Sequence, residues 1–214
     1  TGDKIKKIEN MAKKNEIPVK YIKKKEFNNL ASSQVPQGVI ALAEEIKLYE
    51  PEDILDQAKK MDEDPFIVIL DHIKDPHNFG AIIRTAYAAG AHGVVLPEDR
   101  AASITPVVVK ASTGAIEHLM MSKVANINYT IDKLKKRRVW IAGAGVEGAR
   151  KYYEMNFDQS IAVVIGSEGE GLKRLVKENC DFLIKIPMKG ELGSLNASVA
   201  AGIMLFEVNR QRQE

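Results

Sequence analysis

Three short stretches of this chain concentrate the residue types that chemistry needs. In the first, Asp71-His72-Ile73-Lys74-Asp75-Pro76-His77-Asn78-Phe79-Gly80-Ala81-Ile82-Ile83-Arg84, carboxylates, imidazoles, an amide and a guanidinium crowd together. A guanidinium beside a loop of Asp, Asn and Gly can grip a phosphate bidentately. A plainer reading makes Asn78 a helix N-cap and Arg84 a surface cation. In the second, Ile165-Gly166-Ser167-Glu168-Gly169-Glu170-Gly171, Ser167 and Glu170 have capping-box spacing. The cap does not explain three glycines, each of which weakens a helix start; close approach of a ligand to the backbone would. The third runs Ile186-Pro187-Met188-Lys189-Gly190-Glu191-Leu192-Gly193-Ser194-Leu195-Asn196-Ala197-Ser198, with Ser194 as a candidate N-cap. The small residues Ala197, Ala200, Ala201 and Gly202 then permit close helix packing, in a core or at a subunit interface.

A fourth stretch competes with these. Gly143-Ala144-Gly145-Val146-Glu147-Gly148 matches the G-x-G-x-x-G dinucleotide fingerprint, and Glu168 falls near the place of a ribose-binding acid. A lone match is weak, and Ala149-Arg150-Lys151-Tyr152-Tyr153 starts no clean apolar helix stripe. A nicotinamide-dependent oxidoreductase nonetheless stays open at this point.

Behind these stretches lies a regular rhythm. From Pro65 onward β-rich runs near 66–71, 93–96, 118–122, 138–142, 161–165 and 182–186 alternate with helical patterns near 78–89, 103–111, 128–136, 168–179 and 194–210. Such alternation predicts a mainly parallel, doubly wound α/β sheet, whose ligands bind beyond the carboxyl ends of the strands. The three stretches are all strand-to-helix junctions of that kind. Before Pro65, residues 3–15 read as a helix, Val19 to Ile22 and Gly38 to Ala43 as short strands, and the acidic stretch from Lys47 to Asp64 as a bridge with a short helix.

Composition narrows the class. The chain has 214 residues, 45% of them apolar and 28% charged, which suits a globular protein of one domain plus an appendage. Apolar runs are strand-sized, so no segment reads as a membrane span, and no signal peptide is visible. With one cysteine, Cys180, no internal disulfide forms, which fits a cytoplasmic location. The four histidines lack metal-ligand spacing, and no metal is expected. Net charge is +2, but lysines gather between Lys4 and Lys25 and again in Lys133-Leu134-Lys135-Lys136-Arg137-Arg138. Such clusters are solvated helix faces or the footprint of a phosphate-backbone partner, so a non-catalytic RNA-binding module also stays open. The first residue is Thr1 rather than Met, which suggests a truncated, processed or cleaved start.

Taken in order and spacing, the three junctions resemble the three motifs of SpoU-type (TrmH) RNA 2′-O-ribose methyltransferases of the SPOUT superfamily. The Asn-x-Gly-x-x-x-Arg core is Asn78, Gly80 and Arg84; the second motif is Ile165 to Gly171; the third is Ile186-Pro187-Met188 with Ser194 to Ser198. The likeness covers about residues 65–210. Ile17-Pro18-Val19 and Gln37-Gly38-Val39-Ile40-Ala41 look like the end of the ribosomal-protein-like substrate-binding domain carried by many ribosomal RNA members. The whole is most similar to enzymes that methylate a guanosine ribose of large-subunit (23S) ribosomal RNA. Antibiotic-resistance rRNA methyltransferases and tRNA ribose methyltransferases are the near competitors.

The resemblance implies a doubly wound sheet closed by a C-terminal trefoil knot, which general folding rules would never propose. It divides the chain into residues 1–45, the last part of an RNA substrate-binding domain; 46–64, a linker; and 65–214, the methyltransferase domain. It implies S-adenosyl-L-methionine as cofactor, RNA as substrate and a homodimer with the active site beside the subunit interface. Cofactor contacts then fall on Ala142, Gly143, Gly145, Gly166, Ile186, Met188 and Leu195, so the glycine fingerprint becomes a wall of the methyl-donor pocket. Arg84 takes the central catalytic role, with Asn78, Glu168, Ser194 and Asn196 fixing it, the ribose and the loops. Because arginine stays protonated, orienting a phosphate and stabilising negative charge suits it better than acting as a base. His77, next to Asn78, is the best imidazole candidate for a base.

Overall fold

Runs of β-branched and aliphatic residues pair side by side, and the central ones, Phe66–Asp71 and Ile161–Gly166, are apolar on both faces and can be satisfied only between helical layers. The computed structural model describes residues 2–31, 38–99, 101–147, 150–189 and 193–213. Gly148, Gln37 and the segment Gly190 to Leu192, named above, lie outside the described residues. The chain divides into two units, Thr1–Glu45 and Ile46–Glu214.

In the first unit, α1 (Gly2–Lys14) and α2 (Lys24–Leu30) are helical, and neither buries a residue. The expected strands at 19–22 and 38–43 are irregular chain without ladder pairing. A strand persists only where its backbone groups find a partner strand, and none is present among the described residues of this unit.

The second unit opens with α3 (Pro51–Lys60), whose Ile54 and Ala58 are fully buried, so the stretch expected to be a bridge packs as part of this unit. There follow β1 (Phe66–Asp71), α4 (Pro76–Ala88), β2 (Gly93–Pro97), α5 (Pro106–Ser112), β3 (Met120–Val124), α6 (Ile127–Lys136) and β4 (Trp140–Ala144). Then come β5 (Arg150–Lys151), β6 (Ile161–Gly166), α7 (Arg174–Asn179), β7 (Phe182–Lys185) and α8 (Ala197–Arg212). The strands form one parallel sheet in the order β3-β2-β1-β6-β4-β7-β5. Thus β6 inserts between β1 and β4, and β7 between β4 and β5, each entering among strands laid down earlier in the chain.

Alternate residues of each strand face opposite ways, and both faces are covered. Phe66, Val68 and Leu70 of β1 pack with Phe79, Ile82 and Ile83 of α4 and Ala201, Leu205 and Val208 of α8. Ile67 and Ile69 pack with Ile54 of α3, Ile131 of α6 and Val176 of α7. Burying one such aliphatic side chain stabilises by about 1.5–3 kcal/mol. Arg212 fastens the end of α8 to the amino end of the sheet, donating to the carbonyls of Asp64, Pro65 and Gln159. That anchorage leaves the carboxyl ends of β1, β4, β6 and β7 as the opening for a ligand.

Candidate active site

At its carboxyl end the apolar strand β1 terminates in a carboxylate, Asp71, which is fully buried. Its Oδ1 lies 2.5 Å from His72 Nδ1, and its Oδ2 accepts the Lys173 backbone N–H at 2.6 Å. One buried side chain therefore ties the loop after β6 to the tip of β1. His72 makes the turn with a left-handed φ of 60°.

Helix α4 starts earlier than its sequence suggests. Asp75 is the N-cap, accepting from the His77 N–H at 2.9 Å, and Pro76 takes the first helical position, where its missing N–H is harmless. Asn78 is thereby released from capping and sits inside the first turn, nearly buried. Its amide Nδ2 donates to Glu168 Oε1, while its Oδ1 accepts from Asn196 Nδ2 at 3.0 Å. Asn196, not Ser194, caps α8: its Oδ1 accepts from the Ser198 N–H at 2.9 Å, the Val199 N–H at 3.3 Å and the Ser198 hydroxyl at 2.6 Å. The relay Asn196→Asn78→Glu168 joins all three junctions in one chain of hydrogen bonds.

The Ser167–Glu170 capping box expected from sequence does not form. Residues 167–171 close on themselves, with the Gly171 N–H donating to the Ser167 carbonyl at 2.9 Å, and α7 starts only at Arg174. Gly169 and Gly171 have φ of 78° and 66°, which a Cβ would resist. Glu170 bonds Lys173 instead, and that ammonium holds its carboxyl below the usual range. At Gly166 an added Cβ would lie 2.3 Å from the Gly171 carbonyl carbon and 2.4 Å from the Leu172 nitrogen. This glycine is therefore required by the chain's own backbone. Around Gly145 and Gly193, by contrast, the space is open.

The loops enclose a cavity of about 410 Å³ at the carboxyl edge of the sheet. Gly145, Gly166, Ile186, Met188 and Leu195 line it, as do Glu168 and Ser194. Asn78 and Asn196 stand behind Glu168 rather than on the wall. Ala142 and Gly143 are not on the wall. Ala142 is fully buried in β4, and a Cβ at Gly143 would meet Cys180 Sγ at 2.7 Å and Leu172 Cδ1 at 2.8 Å. Arg84 is exposed on α4, nearly two turns beyond Asn78, and does not line the cavity either. His77 is likewise exposed and off the wall.

Sequence reasoning missed two features. Asp71 had one signal, a charged residue ending a wholly apolar strand. The cavity-lining ion pair of Lys177 Nζ with Glu147 Oε2, at 3.0 Å, had none, since its partners lie 30 residues apart. No group of three metal-binding side chains occurs among the described residues. The glycine fingerprint does not behave as a dinucleotide site, because β4 is followed by a turn, the two-residue β5 and a 3-10 turn rather than a helix N-terminus. The cavity suits an amphipathic small molecule: Ile165, Leu172 and Met204 are apolar, Glu168 and Lys177 polar, and open space lies over Gly145 and Gly193.

Comparison with known proteins agrees with this geometry. Residues 65–206 match the SpoU rRNA Methylase family, and residues 1–49 match the family described as RNA 2′-O ribose methyltransferase substrate binding. The chain is 46% identical over 202 residues to YacO of Bacillus subtilis (strain 168), named for the TrmH family of tRNA/rRNA methyltransferases. That match covers 94% of this chain and 81% of YacO. The fold resembles the SpoU methyltransferase AviRb of Streptomyces viridochromogenes, solved in complex with AdoMet (TM-score 0.66, 34% identity, 70% of this chain and 61% of that one). It also resembles the TrmH/SpoU tRNA modifying enzyme of A. aeolicus (TM-score 0.65, 29% identity, 75% and 85%).

Proposed function

Because the chain belongs to the SpoU rRNA methylase family, we propose that it transfers a methyl group from S-adenosyl-L-methionine to a ribose 2′-hydroxyl of structured RNA. The RNA methyltransferase activity and the cofactor class come with the family; the ribose position, the RNA and the residue roles are our reading. The observation that carries it is the Asn196→Asn78→Glu168 relay behind a cavity of cofactor size.

The bound cofactor supplies an activated, electrophilic methyl group. The chain's own residues must hold the accepting hydroxyl in line and accommodate the charge that develops as its proton leaves. Alignment can contribute up to about 7–11 kcal/mol. Glu168, its carboxylate fixed from behind by Asn78, is placed to accept a hydrogen bond from a ribose hydroxyl. Ser194 can do the same from the facing loop, while Gly145, Gly166, Ile186, Met188 and Leu195 form the wall against which the methyl donor lies. Gly143 and Ala142 support that wall from within.

Arg84 is the group that orients the target's phosphate and offsets negative charge. Its exposed place on α4 suits a site completed by a second copy. Helix α8 favours the same arrangement: Val199 and Phe206, about half exposed, leave apolar surface on a helix whose opposite side is already buried. We therefore read the protein as a homodimer packed through α4 and α8, working in the cytoplasm. Residues 1–45 engage RNA ahead of the catalytic unit, and a C-terminal knot is consistent with the late insertion of β6 and β7. Large-subunit ribosomal RNA, at a guanosine, is the substrate we favour. A tRNA ribose is the second reading, favoured by likeness to the A. aeolicus tRNA modifying enzyme.

Labelled methyl transfer to total RNA, followed by mapping of ribose methylation, tests the reading. Arg84→Ala should lower turnover at least a hundredfold while S-adenosylhomocysteine affinity stays within about twofold. Near-normal turnover would remove Arg84 from the mechanism, and methyl groups found only on bases would overturn the ribose assignment.

A further inference from the structure

Beyond the cavity, the β4-β7-β5 side of the sheet carries an aromatic and basic surface that the methyl-transfer chemistry does not use. Trp140, the chain's only tryptophan, opens β4 and is 45% exposed. Tryptophan so placed loses much of the burial that usually holds it in a strand, so its exposure calls for a partner. Its ring lies 5.5 Å from that of Phe182 on the neighbouring β7, and the Arg150 guanidinium stands 5.3 Å over the other end of this pair. Next along β5, Lys151 Nζ lies 5.7 Å from the Tyr153 ring, which is also about half exposed. Arg138, exposed, precedes Trp140 by two residues.

Charge on this surface is mainly positive. Glu154 is engaged by Lys151 Nζ at 3.3 Å, and Asp181 by Lys135 Nζ at 2.8 Å, which leaves Arg150, Arg138 and Lys185 without a carboxylate in ion-pair reach among the described residues. The surface also adjoins the cavity. Arg150 is in register with Ile184, two residues before the cavity wall at Ile186. From Ala144 at the cavity back to Trp140 is four strand residues, about 13 Å. Exposed rings interleaved with cations form the surface that single-stranded nucleic acid prefers, because bases stack on the rings while phosphates meet the charges.

We propose that this surface binds the unpaired RNA strand flanking the target nucleotide, with one base stacked on Trp140 and the backbone held by Arg150 and Arg138. The inference rests on the RNA-modifying reading above but concerns a separate surface. Its test therefore uses a readout independent of methyl transfer. Emission of the single tryptophan in the full chain reports directly on stacking, with a single-stranded decauridylate as probe. Binding should quench it, the apparent affinity should fall steeply between 50 and about 200 mM salt, and Arg150→Glu with Arg138→Glu should weaken it at least tenfold. Trp140→Ala should raise KM for the RNA substrate about tenfold, with kcat at saturating RNA and S-adenosylhomocysteine affinity within twofold. Trp140→Phe should recover most of the loss, and the retained cofactor affinity certifies folding.

Unchanged emission together with unchanged KM in Trp140→Ala would overturn the proposal while leaving methyl transfer intact. Emission that shifts with protein concentration alone, without RNA, would make this surface a contact between copies and equally overturn it. If no RNA is methylated but decauridylate still quenches, the surface stands and the catalytic reading falls.

Discussion

Gly166 and Gly145 lie near one another on the cavity wall, and the structure gives them opposite reasons for being glycine. Adding a methyl group at Gly166 places it 2.3–2.5 Å from three backbone atoms of Gly171 and Leu172, where ordinary contact needs at least 3.4 Å. The 167–171 turn must then move by about 1 Å, and no flexible side chain can absorb the shift. Overpacking of this kind costs about 1–3 kcal/mol. For a unit of this size, that is a fall of roughly 2–12 °C in melting temperature. Glu168 rides on the same turn, so a displacement of about 1 Å should also reduce turnover by around a hundredfold. Gly145→Ala meets no protein atom within 4 Å and extends into open space beside the cavity. It should leave the melting temperature within about 1 °C yet weaken S-adenosylhomocysteine binding at least tenfold, by taking room the ligand needs. Thermal unfolding without ligand, paired with calorimetric titration of S-adenosylhomocysteine, separates the two. A Gly166→Ala variant as stable as the parent but unable to bind would mean that this glycine serves the ligand, and the reasoning from backbone contact would be refuted.

Other consequences follow from the same geometry. Asn196→Ala removes both the cap of α8 and the donor to Asn78, so it should cost about 1 kcal/mol in denaturant unfolding and reduce kcat more than cofactor affinity. An equal loss in kcat from a variant altered only at the hydroxyl that donates to the cap, Ser198→Ala, would discount the relay. His92 is held below its ordinary pKa of 6.5, chiefly by burial, and its Nδ1 accepts the Phe66 N–H, which requires the neutral ring. The unfolded chain therefore takes up a proton that the folded one refuses, and stability should fall as pH drops below about 6.5. Urea unfolding between pH 5 and about 7.5 should show a shallower slope for His92→Gln; identical slopes would refute the assignment. Burial pushes the Cys180 thiol up to about 12, and its Sγ donates to the Val176 carbonyl. Iodoacetamide at pH 8 should label the native protein slowly and the urea-unfolded chain fast.

The order of helices and strands was legible because the pattern is local: continuous apolar runs of strand length such as Phe66–Asp71 and Ile161–Gly166 stand out between helical periods without knowledge of their neighbours. So were the three junctions, since unusual residues at strand-to-helix turns stand out against an apolar rhythm. Three capping readings that the sequence left open failed for one reason. Asn78, Ser167 and Ser194 all have the chemistry of a cap, but which oxygen meets a free N–H depends on where the chain turns. Asp75, Lys173 and Asn196 took those positions. Two short strands were expected near the start on composition alone, and a strand's hydrogen bonds need a partner that no single segment can supply.

What the sequence determined by itself is the inventory: a parallel sheet between helical layers, and three polar junctions with matching order and spacing. What only the tertiary structure decided is their conjunction. Inserting β6 between β1 and β4, and β7 beyond β4, sets Asn78, Glu168 and Asn196 within hydrogen-bond reach, although 118 residues separate the first from the last. It also kept Arg84 off the cavity wall and assigned Gly166 to the backbone rather than to a ligand. Hydrogen bonds and steric contacts act over a few ångströms, and the order of residues along a chain carries no such distances until the chain has folded.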